Sequence, residues 1–254
     1  MGKTASRNEI AAYLDAYLRV ADIPDSSPNG LQVEGRARVA RVAYAVDASV
    51  TTIAAAVRGG ADMLVVHHGL WWGKHEQITG NLYRRVSALI RGGLSLYAAH
   101  LPLDCHPEVG NNAELARMLS LETISRFGRY RGVEVGVIGE ARRAVARGRF
   151  VAAVETKLRA RADVLPFGPA RLRRVAIVSG GGGMLAEEAR AAGCDALLTG
   201  ETSHTAYHQA REARINVIFA GHYATETVGL KALARHLRRR FGVTGRFVSA
   251  PTGY

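Results

Sequence analysis

The residues of this chain best suited to chemistry are two adjacent histidines, His67 and His68, at the end of an apolar run. The run, residues 63–66, predicts a short strand covered on both faces. Neutral imidazole is the commonest nitrogen ligand of metals in proteins, and a strand end holds it rigidly. Neighbouring side chains of an extended strand point to opposite faces, so at its end the pair can reach two different ions. Trp71 and Trp72, the only tryptophans, either wall such a site or pack at a subunit contact.

Histidine and carboxylate residues recur after other predicted strands. His100 is followed four positions later by Asp104, and His222 is followed four positions later by Glu226. Open α/β sheets place their sites beyond the carboxyl ends of parallel strands. If a helix has begun by His222, that residue and Glu226 share one face of the helix. Together with Glu201, which also follows a predicted strand, these residues extend a candidate metal site beyond the histidine pair.

Two interpretations stand for several other polar residues. His100 either orients a metal ligand or is a hydrogen-bonded core histidine. Glu201 and His204 are either a general base and a substrate contact or part of a helix cap. The four glycines of residues 180–183 either present backbone N–H groups to a phosphate or form a tight turn, and the turn is favoured.

Strands and helices alternate along the chain. Apolar runs predict strands, and segments of helical periodicity lie between them. The predicted strands cover residues 31–33, 41–49, 62–68, 94–100, 133–141, 173–180, 195–201 and 216–222. The predicted helices start at residue 6 and then cover 51–61, 81–93, 111–121, 149–161, 184–194, 204–213 and 225–241. The asparagines that begin the segment 111–121 are expected to cap its helix. This order is typical of an α/β fold with largely parallel or mixed sheets flanked by helices.

An internal similarity predicts two related α/β halves, residues 1–127 and 128–254, with the metal site between them. The triplet RVA at 41–43 precedes GAD at 60–62, and RVA at 174–176 precedes GCD at 193–195 with the same separation. In both places the RVA triplet begins one predicted strand, and the second triplet leads into the next. The match indicates a duplication, and the alternative is two unrelated βαβ units of the same common geometry.

Composition excludes some classes of protein. The 254 residues contain no apolar run near the ~20 residues that span a bilayer, and the N-terminus lacks a secretory signal. Two cysteines are too few for a disulfide framework, so a cytoplasmic protein is predicted. The net charge of +12 indicates either nucleic-acid binding or an arginine-rich solvated surface, and the surface interpretation is favoured.

Six segments together resemble the YbgI-like dinuclear metal centre family, whose members are often labelled GTP cyclohydrolase I type 2 homologues. The segments are SPNGLQVEG, VDAS, DMLVVHHGLWWG, YAAHLPLDCHPEVGNNAELA, LLTGETSHTAYHQA and FAGHYATETVGL, and they span nearly the whole chain. No large middle insertion fits, so the chain is similar to the short bacterial form. The resemblance implies a toroidal homohexamer whose sites face an internal cavity.

The resemblance also implies the metal ligands. They are His67, His68, Asp104, His222 and Glu226, which would hold two divalent ions, and every residue type agrees with the family. Such mixed ligands suit Zn, Mn, Fe, Co or Ni, and carboxylates, with two oxygens, are the candidates to bridge two ions.

Two functions are open. The first is a metal-dependent hydrolase, and the resemblance implies that it acts on a nucleotide or related heterocycle, as in ring opening of GTP. Its nucleophile would be a water activated by the ions, and Glu201 would shuttle the proton. The second is a non-catalytic metal-bearing ring that binds nucleic acid or a protein partner.

Overall fold

A computed structural model describes residues 3–74 and 76–253. The chain divides into two compact units. The first comprises Met1–Val109 and Gly229–Ala250, and the second comprises Gly110–Val228 and Pro251–Tyr254. These limits are set by packing, and they differ from the boundary at residues 127 and 128 predicted from the sequence for two halves.

The strands and helices alternate through most of the described chain. The strands are β1 (Ala5–Ser6), β2 (Gly30–Val33), β3 (Arg38–Val39), β4 (Arg41–Asp47), β5 (Met63–His68), β6 (Ser95–Ala98), β7 (Glu122–Tyr130), β8 (Val133–Ala146), β9 (Asp163–Pro166), β10 (Arg171–Val178), β11 (Ala196–Thr199), β12 (Asn216–Phe219) and β13 (Thr244–Phe247). The helices are α1 (Arg7–Tyr17), α2 (Val50–Arg58), α3 (Gly80–Gly92), α4 (Leu101–Asp104), α5 (Asn111–Met118), α6 (Arg147–Leu158), α7 (Ala186–Ala191), α8 (His204–Ala213) and α9 (His222–Phe241). Among the described residues, no helix combines the length and the apolar character that crossing a membrane requires.

The first unit is built on a largely parallel sheet. In the described residues this sheet has the order β13-β4-β5-β6-β2, and only β2 runs antiparallel to its neighbour. The strands β4, β5 and β6 are almost completely buried. Helices α2 and α3 supply Ile53 and Leu89 to the core on one face of this sheet. The carboxyl ends of β4, β5 and β6 therefore lie at one edge.

The second unit is built on a mixed sheet. Its order in the described residues is β7-β8-β10-β11-β12-β9, with parallel pairing only among β10, β11 and β12. Phe150 and Val154 of α6 pack on this sheet together with Leu115 of α5. The α/β fold class is confirmed, and the second sheet is of the mixed kind.

The two units share one detail of backbone pairing. In the first, the Asp62 carboxylate accepts hydrogen bonds from the backbone N–H groups of Ala40 and Arg41, at 2.9 and 3.0 Å. In the second, the Asp195 carboxylate accepts from Arg173 and Arg174, at 2.7 and 3.0 Å. Each aspartate also donates its own N–H to the carbonyl of the arginine 21 positions before it, at 2.8 Å. The internal similarity in sequence thus corresponds to the same local construction.

The structure corrects one local prediction. The asparagines at the start of α5 were expected to cap that helix, but Gly110 is the N-cap residue and both asparagines lie inside it. Asn112 is fully buried, and its amide donates to the carbonyl of Val135 at 2.8 Å and accepts from the N–H of Ser179 at 2.7 Å. The side chain therefore holds α5 against the sheet and does not cap the helix.

Candidate metal centre

In the first unit, the two adjacent histidines end strand β5 as predicted. His67 is fully buried, and His68 pairs in register with Asp47 at the end of β4. The strand ends here, so the two rings come together with centroids 4.8 Å apart. The apolar strand thus brings two imidazoles to one point at the edge of the sheet.

Hydrogen bonds fix the orientation of both imidazoles. Nδ1 of His67 lies 2.9 Å from the carbonyl oxygen of Ala99, and Nδ1 of His68 lies 2.8 Å from a carboxylate oxygen of Asp47. Both oxygens accept hydrogen bonds, so each Nδ1 carries the proton and donates. Nε2 is then the nitrogen that can bind a metal.

Asp104 lies near these histidines, at the end of the one-turn helix α4. Its Oδ2 is 3.5 Å from Nε2 of His67, and its side chain is almost fully buried. Helix α4 starts directly after the loop that follows β6, with Pro102 in its first turn, where proline is well tolerated. A single turn carries the carboxylate back to the strand ends.

A third imidazole, His100, lies beside the pair. Its ring centroid is 5.0 Å from that of His67 and 5.7 Å from that of His68. Its Nδ1 is 3.0 Å from Oδ1 of Asp25, whose side chain is only 2% exposed. Burial alone would raise the pKa of Asp25, but the hydrogen bond and charge of His100 lower that pKa to about 2. The Asp25 carboxylate is therefore ionised, and it holds this ring in place by a hydrogen bond.

Trp72 forms one side of the histidine cluster. Its ring meets those of His68 and His100 edge-on, with centroids 5.5 and 4.9 Å away. Trp71 instead packs against the apolar core of the first unit. Of the two predicted interpretations, Trp72 fits the wall of a site, and its 40% exposure leaves it open to other contacts.

In the second unit, His222 and Glu226 lie on one face of α9. The helix begins at His222, so the two residues are one turn apart and Nε2 of His222 is 3.1 Å from Oε1 of Glu226. Nδ1 of His222 is 3.0 Å from Oε2 of Glu201, which follows β11. The hydrogen bond to Glu226 is the largest influence on the pKa of His222, which rises to about 9 despite burial. This arrangement holds a positive charge, either a proton or a cation.

The predicted tight turn at residues 180–183 packs against this pair. Gly180 has a φ of +64°, and a Cβ built there would meet the Glu226 carboxylate and lie 3.1 Å from Nε2 of His222. The carbonyl of Gly180 accepts hydrogen bonds from Thr199 and from the N–H groups of Gly200 and Glu201. Only glycine leaves room for the carboxylate at this point.

Each unit therefore assembles part of the predicted site. The first unit brings together His67, His68 and Asp104, with His100 beside them, and the second brings together His222, Glu226 and Glu201. His204 is exposed and is the first residue of α8, directly after the N-cap residue Ser203. The convergence of all five predicted ligands on two shared ions stays a prediction.

Sequence reasoning missed the two aspartates that orient imidazoles. Asp47 belongs to the VDAS segment and Asp25 to the polar turn at residues 25–30, and neither was assigned a role. The available signal was that a ligating histidine usually donates its second ring N–H to a carboxylate or carbonyl. Asp47 ends the strand beside β5, which is where such a partner must lie.

The donors present suit divalent transition metals. They are imidazole nitrogens and carboxylate oxygens, a mixture that binds Zn, Mn, Fe, Co or Ni. The ligand atoms of His67, His68 and His100 lie within 4.8 Å of one another. In the second unit, Nε2 of His222 and Oε1 of Glu226, 3.1 Å apart, offer a nitrogen and an oxygen to a cation.

The fold and these clusters define a class: α/β proteins with histidine–carboxylate clusters able to bind a metal at the carboxyl ends of their strands. The model of the Duf34/NIF3 (NGG1p interacting factor 3) family matches residues 5–251 of this chain. The chain belongs to that family.

Relatives and solved structures agree with this assignment. The GTP cyclohydrolase 1 type 2 homolog of Pyrococcus abyssi is 46% identical over 250 residues, which is 97% of this chain and 99% of that protein. The protein of the same name from Deinococcus radiodurans is 44% identical over 247 residues, which is 97% of this chain and 94% of that protein. The structure of protein ybgI has a TM-score of 0.93 at 34% identity, covering 98% of this chain and 100% of that one. A protein of Thermus thermophilus has a TM-score of 0.91 at 42% identity, with the same coverage.

Proposed function

We propose that this protein is a dinuclear-metal-dependent hydrolase of nucleotides or related heterocycles. Ring opening of the guanine in GTP is the first reaction to test. The observation that carries the proposal is the shared orientation of the imidazoles in the two units. His67, His68 and His222 each bond through Nδ1 to an oxygen, and Nε2 of His67 and of His222 faces a carboxylate.

The residues that would hold two divalent ions are the five implied by the resemblance. They are His67, His68 and Asp104 of the first unit and His222 and Glu226 of the second. Bound divalent ions would supply Lewis acidity, lowering the pKa of a water and clamping oxygens of the substrate. The protein itself holds each of these imidazoles by a hydrogen bond at Nδ1 and places a carboxylate beside Nε2 of His67 and of His222.

Glu201 is the residue proposed to move a proton. One of its oxygens accepts from Nδ1 of His222, and its side chain is 51% exposed, so a substrate can approach it. It therefore orients His222 and offers a carboxylate at the open side of the pair. A proton taken up at its carboxylate can pass to solvent or to a leaving group.

The nucleotide as substrate is supported by the relatives, which carry the name GTP cyclohydrolase 1 type 2 homolog. The chain has 34 lysine and arginine residues against 22 aspartate and glutamate residues, and the resulting field attracts anionic substrates.

Two substitutions test this mechanism. Glu201→Gln keeps an oxygen that can accept from His222, so the variant should retain its metal and lose turnover. His68→Ala removes a ligand and should lose metal and turnover together. Metal content by mass spectrometry and hydrolysis of GTP and other nucleotides would be measured for both. Equal turnover by metal-free protein or by His68→Ala would contradict the two-metal mechanism.

The second candidate function is a metal-bearing scaffold that binds nucleic acid or a protein partner. The net charge of +12 favours it, and Arg238, Arg239 and Arg240 form an exposed basic group at the end of α9. DNA binding measured against salt concentration separates the two functions, since scaffold binding should not require metal. Failure of every metal form to turn over any nucleotide would make the scaffold the better account.

Assembly and location complete the proposal. We propose a homohexamer, a toroid with its sites facing an internal cavity, on the strength of the family resemblance alone. The proposed location is the cytoplasm, where the two buried cysteines, Cys105 and Cys194, would remain thiols.

A further inference from the structure

We propose that a recess beside the polar turn of the first unit, the base recess, binds the guanine base of the substrate. Trp71 stacks on the base, and Lys74 and Glu76 recognise its hydrogen-bonding edge. The inference rests on the proposed function and deepens it, since it gives the base of the nucleotide a place next to the candidate metal centre. None of the five ligands implied by the family resemblance lines the recess.

The base recess has the size of a small-molecule site. Its volume is about 490 Å³, and ligand pockets usually have about 300–1,000 Å³. Two segments line it, residues 25–28 on one side and Trp71, Gly73, Lys74 and Glu76 on the other. Asp25 also holds the ring of His100, so the recess adjoins the histidine cluster.

Trp71 gives the base recess an aromatic wall. The residue is half-buried and packs against the apolar core of the first unit, so its ring is held in place before a ligand arrives. Nucleic-acid bases stack on such rings, and the loss of one stacking partner weakens binding by about tenfold or more. A fixed flat wall favours a flat heterocycle as the ligand.

Lys74 and Glu76 supply opposite charges at the open side of the recess. Both are exposed, and neither forms an ion pair with another residue in the described part of the chain. An ammonium group only donates hydrogen bonds, and a carboxylate only accepts them. Guanine offers the acceptor O6 beside two donors, N1–H and the 2-amino group, and so matches this pair. Adenine carries an amino group in place of O6 and would meet the ammonium group with a second donor.

The buried side of the base recess contains an unused hydroxyl. Ser27 is 3% exposed, and its Oγ has no hydrogen-bond partner among the residues that the structure describes. Buried polar groups are nearly always paired, because an unpaired one loses its bonds to water without replacement. A base held at the opening by Lys74 and Glu76 turns its opposite edge inward, and N7 on that edge accepts from a hydroxyl.

This orientation suits a reaction at the imidazole ring of guanine. The Asp25 side chain, 2% exposed, lies at the buried side of the recess and is 3.0 Å from Nδ1 of His100. Trp72, the neighbour of Trp71, meets the rings of His68 and His100 edge-on. The edge of the base that is recognised at the opening is therefore the edge that takes no part in ring opening.

The alternative is a surface recess that holds only water. Its polar lining suits water, and Lys74 and Glu76 would then be solvated charges without a ligand. Water requires neither an aromatic wall nor a donor and an acceptor side by side at the opening. On this alternative, removal of the ring of Trp71 or of the charge of Glu76 changes no affinity for a nucleoside.

The test uses the fluorescence of the chain itself. Trp71 and Trp72 are the only tryptophans, so Trp72→Phe leaves Trp71 as the sole indole. Metal-free Trp72→Phe protein is titrated with guanosine and with adenosine, which carry no phosphate that could bind elsewhere. Guanosine should quench the emission of Trp71. Adenosine should bind about tenfold more weakly or worse, because it loses the hydrogen bonds to charged groups.

Calorimetry with metal-free protein compares three variants with a control. Trp71→Leu keeps the apolar packing and removes the flat ring, so both nucleosides should bind about tenfold more weakly or worse. Glu76→Gln should weaken guanosine binding by about tenfold and leave adenosine unchanged. Ser27→Ala should weaken both without lowering the Tm, since its hydroxyl has no partner to lose. Glu187→Gln, which changes an exposed carboxylate of α7 in the second unit, should match the parent.

Equal affinity of the parent for the two nucleosides would overturn the inference, as would parent-like guanosine binding by Trp71→Leu, Ser27→Ala and Glu76→Gln. Failure of guanosine to bind at millimolar concentration would overturn it as well. Nucleotide turnover by the metal-loaded parent, measured separately, would leave the proposed function standing in each of these cases. Selective guanosine binding without turnover by any metal form would keep the base recess and overturn the hydrolase.

Discussion

Four imidazoles near the proposed ions are held in the same manner. His67, His68, His100 and His222 each bond through Nδ1 to an oxygen of the protein. The acceptors belong to Ala99, Asp47, Asp25 and Glu201, in that order. A backbone carbonyl or an ionised carboxylate can only accept, so each ring is fixed with its proton on Nδ1. Nε2 is therefore the nitrogen available to a metal on these rings, and at His222 a metal would replace the proton that lies between Nε2 and Glu226.

The support of His68 gives the first prediction. Asp47→Ala removes the acceptor behind that ring and should weaken metal binding by about 10–100-fold, since the imidazole is no longer held in its tautomer and direction. Chelator competition measures the affinity, and Asp22→Ala, which removes an exposed carboxylate paired with Arg19, is the control. An affinity equal to that of the parent would show that Asp47 does not position His68.

The Glu226 carboxylate lies close to the backbone of Gly180, and this contact gives the second prediction. A methyl group there would collide with the Glu226 carboxylate, and the φ of +64° costs a residue with a side chain about 1–2 kcal/mol. Gly180→Ala should therefore lower both the metal affinity and the free energy of unfolding. Gly148→Ala is the matched control, because a Cβ at that helical position meets nothing and should be neutral or slightly stabilising. Parent-like metal binding by Gly180→Ala would show that the metal site does not depend on this glycine.

The residues of the site were only partly accessible from the sequence. The strand end at His67 and His68 was visible in the apolar run, and the shared face of His222 and Glu226 followed from helical spacing. Asp25 was not identified, because it lies 75 positions from His100 in a polar turn with no periodic pattern. A contact between distant residues in irregular segments leaves no local signal.

At the level of secondary structure, buried strands were predicted well and most edge strands were missed, although the edge strand β2 was predicted. The strands β7, β9 and β13 had no counterpart in the prediction, and each lies at an edge of its sheet; the short pair β1 and β3 was missed as well. Their residues are mostly exposed or half-buried, so they lack the continuous apolar runs that revealed β5 and β11. An edge strand is specified by its neighbour's backbone more than by its own side chains.

The repeated aspartate at the second strand of each unit gives the third prediction. Asp62→Ala and Asp195→Ala each leave two backbone N–H groups without their acceptor, which costs about 1–3 kcal/mol where the groups are buried. Asp62 is the more buried of the two, so its loss should be larger. Hydrogen exchange of the amides in β4 and β10 reports the two units separately. Unchanged exchange in both variants would contradict a structural role for the repeat.

For the whole molecule, the fourth prediction concerns assembly. Neither composition nor periodicity specifies an oligomer, and the expectation comes from the family resemblance. Six copies of the 27.3 kDa chain should give a particle of about 164 kDa by light scattering at micromolar concentration with metal present. A particle with the mass of one chain under these conditions would contradict the hexamer.

We propose that the clusters of the two units act together on a pair of ions. Native mass spectrometry of metal-free protein titrated with Zn²⁺ tests it most directly, with His68→Ala and Glu226→Ala as one variant from each unit. We expect two zinc ions per chain in the parent and loss of occupancy in both variants. A parent that binds no zinc, or only one ion per chain that survives both substitutions, would contradict it.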